Sequence, residues 1–275
     1  MRLIATAGNR FGCRSIAEYL GQRYQSEGIR VMVSVFSLVL FFYLAGQLVS
    51  GLVMFETMLG LKPMWALTIT TVVLLFYVVM GGAHADILTD GIQGVMMLLV
   101  AVTVILLVAF GVGIEGGFSG LWNNLAAQDP ILAEPVNPGS ALTHSWWSIT
   151  SILFACIPLG LLPHLGNKLW ALRDLNQQKT FLKLAFTFGL TLGMMGVGGL
   201  LARALLGGAL LEEGATTNQA LPLVFIEIFP TWLAALIGMG VLAAIMSTAD
   251  GLVVSSSQIV ANDLYRLTIA PRLRN

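Results

Sequence analysis

The sequence predicts an all-α polytopic membrane protein, and three observations carry that prediction. Hydrophobic residues make up 57% of the 275 and charged residues only 10%, against roughly a quarter charged in an average soluble domain. Several apolar stretches reach about 20 residues, the length that spans a hydrocarbon core. The basic residues fall into three groups separated by such stretches. Net charge is zero, which leaves no electrostatic footing for nucleic acid.

Taken in order, residues 1–30 read as a polar cytosolic loop with a short amphipathic helix around Ser15–Tyr24. A first span is expected at about 31–59, with Tyr43, Gln47 and Glu56 as its polar exceptions. The turn Gly60-Leu61-Lys62-Pro63 leads to a second span at about 64–81, which Gly81-Gly82 is expected to break because glycine is a poor helix-interior residue. The third span covers about 86–112. A loop of about 30 residues follows, rich in Gly, Asn and Pro, with Glu115, Asp129 and Glu134 but no Lys or Arg. The fourth span is expected at about 146–164, the fifth at about 182–206 and the sixth at about 231–265. Between the last two lie acidic Glu212 and Glu213 and a short apolar segment cut by Pro230.

Lys and Arg orient these spans. Arg2, Arg10, Arg14, Arg23 and Arg30 precede the first; Lys168, Arg173, Lys179 and Lys183 join the fourth and fifth; Arg266, Arg272 and Arg274 follow the sixth. Those are 12 of the 14 basic residues, and six alternating spans put all of them on one side. That places residues 1–30, 165–181 and 266–275 in the cytosol of a protein in the cytoplasmic membrane. Cys13 and Cys156 offer neither a disulfide framework nor a metal-ligand spacing. No nucleophile and base pattern appears, so an enzyme is not expected.

Polar residues inside the spans are the functional candidates, because a charge at mid-bilayer costs at least ~2.5 kcal/mol. In the sixth span Ala244, Ser247, Thr248 and Gly251 share one face by i, i+3, i+4 and i+7 spacing, with Asp250 beside them. Hydroxyl and carbonyl oxygens suit a hard cation such as sodium. The alternative is that the hydroxyls bond back to carbonyls one turn earlier. Asp86 reads as a cap at the start of the third span. Asp90 lies one turn deeper, where capping does not account for it, so Asp90 and Asp250 are expected to share a sodium ion or a proton. In the fourth span, Pro158, Gly160, Pro163 and Gly166 remove or weaken backbone bonds and predict a broken helix that exposes backbone groups to solute. His164 there is either a gate or solute ligand or an interfacial residue. Tyr43 and Gln47, at i and i+4, either face a cavity or bond between helices.

The run Ala243-Ala244-Ile245-Met246-Ser247-Thr248, with Ser255-Ser256 and Asp263-Leu264-Tyr265-Arg266, resembles the sodium:solute symporter family. Gly81-Gly82 with Thr89-Asp90 and Gln93, Pro163-His164 with Lys168, and Glu18-Tyr19-Leu20 with Arg23-Tyr24 extend the resemblance over essentially the whole chain. It implies a LeuT-type five-plus-five inverted-repeat fold, of which the six spans are core helices three to eight. It also implies that Ala244, Ser247 and Thr248 bind sodium together with carbonyls of core helix one, which is not among these residues. Asp90 falls on a second sodium site of some members, where this chain has Asp250 and Gly251 in place of hydroxyls. His164 falls near a gating or solute position. Ala155 and Leu159 replace aromatic residues of some members, which does not support a proline-type pocket.

These features lead to an expectation of sodium-coupled symport of a small organic solute, with a proton as the other possible coupling ion and no bound cofactor. A symporter-like sensor module of a signalling protein is the alternative from another class. An incomplete chain without transport of its own is the third. The sequence fixes neither the solute nor the oligomeric state.

Overall fold

The computed structural model describes residues 2–13, 15–156, 162–172, 174–209 and 216–270. Among them are twelve α-helices and no strand: α1 (Arg2–Phe11), α2 (Ile16–Arg23), α3 (Glu27–Ser37), α4 (Leu40–Leu59), α5 (Pro63–Phe110), α6 (Gly117–Gln128), α7 (Trp146–Cys156), α8 (Pro163–Ala171), α9 (Leu175–Gly193), α10 (Gly198–Leu206), α11 (Ala220–Ile228) and α12 (Thr231–Gln258). Among the described residues, five helical stretches are long and apolar enough to cross a membrane: Glu27–Leu59, Pro63–Gly81, Ile87–Phe110, Leu175–Leu206 and Thr231–Ile269. Large apolar side chains such as Phe42, Trp147 and Val79 stand 78–81% exposed. Such a surface is stable only against lipid or further protein. This is an all-α polytopic membrane protein.

The N-terminal segment is more ordered than a polar loop. Arg2–Phe11 forms α1, a correction explained by what its polar face meets. Asn9 and Gln178 of α9 exchange amide hydrogen bonds of 3.0 Å in both directions. Gln178 is buried and also donates to the carbonyls of Leu169 and Leu172, so one amide ties α1, α8 and α9. Ser15 caps α2 by accepting the Glu18 amide proton at 3.0 Å. Phe11, Tyr19 and Trp170 pack in series with their rings tilted to one another. The first span bends at Leu38–Val39, between α3 and α4. Ser34 and Ser37 each donate to the carbonyl one turn back, a pattern that bends helices. Gly60 ends α4 in the left-handed conformation at φ 65°.

The fold turns on α5 and α12. Met54 and Met58 of α4 lie against Gly238, whereas Leu40 and Leu44 cluster with Leu252 and Ile259. The two helices are therefore antiparallel. Gly51 meets Thr70, and Leu44 and Leu48 cluster with Leu74 and Val78, so the first half of α5 runs against α4 and along α12. Further on, Asp90 meets Ser247 and Val100 meets Gly240, so the second half runs against α12. The direction of α5 thus reverses between Val78 and Asp90.

The backbone nonetheless stays helical through Gly81-Gly82, while the apolar spans end at Gly81 and resume at Ile87, close to the division the sequence predicts. A straight helix of its 48 residues would be about 70 Å long, over twice the thickness of a hydrocarbon core. Glycine is a weak helix-interior residue, and the reversal falls in the stretch that contains the Gly81-Gly82 pair.

A second correction concerns the acidic loop. It contains α6, whose Leu121 and Leu125 are fully buried against Val104, Leu201 and Phe225. That cluster, drawn from α5, α6, α10, α11 and α12, is the principal apolar core. At the other end of α12 the helix widens into a π-helix, Ile259–Ile269, where Thr268 donates to the Asp263 carbonyl at 2.9 Å. Arg30 fastens this end by donating to the Leu267 carbonyl at 2.8 Å.

Candidate functional site

Ala244, Ser247 and Thr248 lie together on α12, each partly exposed, while their neighbours Ala243, Ile245, Ala249 and Asp250 are buried. The spacing read from the sequence therefore gives one partly open polar face. The two hydroxyls behave differently. Thr248 Oγ1 donates to the Ala244 carbonyl at 3.2 Å, the back-bond open to any hydroxyl in a helix. Ser247 Oγ instead reaches across to α5 and donates to Asp90 Oδ1 at 2.5 Å.

The other oxygen of Asp90 pairs with Lys168 Nζ of α8. Their side chains are only 22% and 20% exposed. Ser247, Asp90 and Lys168 therefore form one charged cluster at the meeting of α12, α5 and α8. Sequence reasoning used Lys168 to orient the chain and as part of the family resemblance, and missed it as a member of the site. The available signal was its i, i+4 spacing from His164, which puts both on one face of α8.

Leu162 is extended, at φ −58° and ψ 143°, and α8 begins anew at Pro163 in the first helical position. The proline lacks the amide hydrogen that would be orphaned there. His164 follows, half-buried, with no hydrogen-bond partner for its Nδ1 among the described residues. Pro158 and Gly160 lie outside the described residues.

Asp250 is fully buried on α12, and its Oδ1 accepts the amide proton of Gly251 at 2.7 Å. Among the described residues, the hydrogen-bond and ion-pair partners of Asp90 are Ser247 and Lys168, with Asp250 not among them. On α4, Tyr43 is 44% exposed and Gln47 half-buried; the helix meets α12 through its leucines and methionines instead. A polar cleft of about 470 Å³, lined by Glu18, Gln22, Glu27, Arg30, Asn262 and Arg266, opens elsewhere, between α2, α3 and the π-helix. Outside the spans, burial, with a smaller push from Glu18, raises the Cys13 thiol to about 12.

A serine hydroxyl and a carboxylate joined across two apolar helices supply hard oxygen ligands of the kind an alkali cation takes. The comparison with known proteins bears on that chemistry. Residues 1–274 match the sodium:solute symporter family. The chain belongs to this family.

Among curated proteins it is 31% identical over 245 residues to the sodium/pantothenate symporter of Haemophilus influenzae, covering 88% of this chain and 49% of that protein. It is 27% identical to the sodium/pantothenate symporter of Escherichia coli, over 97% of this chain and 54% of the relative. The osmoregulated proline transporter of Bacillus subtilis is also 27% identical, over 92% and 50% respectively. The chain thus spans about half the length of the curated relatives it matches. Each of the three is a transporter by name.

Proposed function

We propose that this chain takes part in sodium-coupled symport of a small organic solute across the cytoplasmic membrane. The observation that carries the reading is the Ser247–Asp90 contact. A hydroxyl that could bond within its own helix, as Thr248 does, is instead held against a carboxylate of another. Sodium binds to Ser247, Thr248 and the backbone at Ala244, with Asp90 supplying negative charge from α5. Asp250 acts on the same helix as a further charge, open to a second cation or a proton. The helix start at Pro163 and the His164 Nδ1, which has no hydrogen-bond partner among the described residues, support a solute-facing role for α8, to which the sequence reading adds Gly160. Tyr43 and Gln47 are peripheral candidates for lining the solute path.

With the basic groups in the cytosol, Ser247 sits 16 residues inward from Thr231, about 24 Å along the helix. That length supports a position for Ser247 in the inner part of a hydrocarbon core about 30 Å thick. A cation there binds one conformation better than the other, and only that difference can drive alternating access. The fold that suits this role is the partial five-plus-five repeat that the resemblance implies. Radiolabelled uptake by the complete reading frame in membrane vesicles, with and without sodium, is the test. Ser247→Ala and Thr248→Ala are each expected to raise the sodium half-saturation at least tenfold, and an unchanged sodium dependence in both would overturn the assignment.

A further inference from the structure

The sodium site proposed above leaves one charge unexplained. Lys168 brings an ammonium to the same carboxylate that Ser247 touches, Nζ on Oδ2 and the hydroxyl on Oδ1. We propose that Lys168 is a tethered competitor for sodium, which holds Asp90 when the ion is absent and is displaced when it arrives. The inference rests on the symport reading, since it concerns the occupancy of that site.

Three features support it. Asp90 and Lys168 are each about four-fifths shielded, with side-chain exposures of 22% and 20%. A cation coordinated by Ser247 Oγ lies close enough to Asp90 to share its charge, because those oxygens are 2.5 Å apart. Two unit cations on one carboxylate then repel, and at a protein dielectric near 20 this weakens binding of the second by roughly tenfold or more.

The third feature is the placement of Lys168. It rides on α8, a nine-residue helix that starts afresh at Pro163 after an extended residue. α8 is also tied at its far end, through Trp170 to Tyr19 and through the Leu169 carbonyl to Gln178. Displacing the ammonium therefore releases one contact of α8 with the α5–α12 pair. Sodium binding is thereby converted into a change in how α8, which also carries His164, is held. The same arrangement keeps Asp90 neutralised in the sodium-free protein, sparing the shielded carboxylate from standing uncompensated.

The test is equilibrium binding of radiolabelled sodium to the purified complete protein, a readout that needs no knowledge of the solute. Lys168→Gln and Lys168→Met are expected to lower the sodium Kd about tenfold, Lys168→Arg to recover most of that competition, and Asp90→Asn to abolish the gain when combined with Lys168→Gln. Two uncharged variants are used so that a folding defect in one does not decide the result. If either folded uncharged variant binds sodium no more tightly than the parent, the competitor role is overturned. Failure of the parent itself to bind sodium would overturn the symport reading along with it.

Discussion

Two stations on α12, one in each half of the helix, do the same job, holding α5, by opposite means. Near Gly240 the contact is dry and close: a side-chain carbon added there would lie 2.5 Å from Val100 Cγ2. Near Ser247, seven residues on, the helices are held by a hydroxyl, a carboxylate and an ammonium. Close apolar packing tolerates no change of spacing, whereas a polar junction can exchange one cation for another. We read the first as the fixed end of the helix pair and the second as its working end.

Breaking the working end is expected to have the largest effect. Asp90→Ala strands a shielded ammonium and removes the Ser247 acceptor. Loss of one partner from a fully buried pair costs about 3–5 kcal/mol, and this part-buried pair should lose less, roughly 2 kcal/mol, visible as a lower melting temperature of the detergent-solubilised protein. The double variant with Lys168→Ala should recover part of that loss. If the double variant is as unstable as the sum of the singles, the ion pair is not what holds this end.

Gly240→Val attacks the fixed end. Overpacking costs about 1–3 kcal/mol, so the melting temperature should fall while sodium affinity of the folded fraction stays within about twofold. A shift of sodium affinity as large as that of Ser247→Ala would show that the two ends are not separable.

Thr248→Val sharpens the contrast within the working end. Its hydroxyl bonds back to the Ala244 carbonyl one turn earlier, so stability should change by less than about 1 kcal/mol while sodium binding weakens about tenfold. An equal loss of both would make the hydroxyl structural.

The smallest effect lies outside the membrane. Cys13 is buried and its thiol is pushed up to about 12 from its ordinary value of 9.0, so maleimide labelling at neutral pH should be slow until the fold opens. The unfolded chain releases this proton first as pH rises from about 9 to 12, so the thiol's contribution to stability falls across that window. Rapid labelling of the folded protein would contradict the burial.

How far the sequence reveals this arrangement differs by region. The all-α membrane class is legible from composition and apolar runs, because burial in lipid leaves a signal in every residue. Ser247 and Asp90 are legible as polar residues where polarity is costly, although nothing in the sequence shows that they touch. Lys168 is not legible as their partner: it lies 78 residues from Asp90, in a basic segment whose charge counts toward orientation in any membrane protein. The helix Arg2–Phe11 was hidden for a related reason, since its polar Asn9 is matched by Gln178, 169 residues away. Gly81-Gly82 shows the limit of propensity, which marks a weak point but does not say whether the helix ends there or bends. For Gly160 the sequence reading stands by itself, because that position lies outside the described residues.

The central claim is that Ser247 and Asp90 act on one sodium ion, and a double-mutant cycle on sodium affinity tests it most directly. Sodium Kd values for the parent, Ser247→Ala, Asp90→Asn and the pair together give the coupling between the two side chains. The account predicts a coupling of at least about 1.4 kcal/mol, a tenfold departure from additivity. Strictly additive losses would mean that the two groups serve separate sites, contradicting the account.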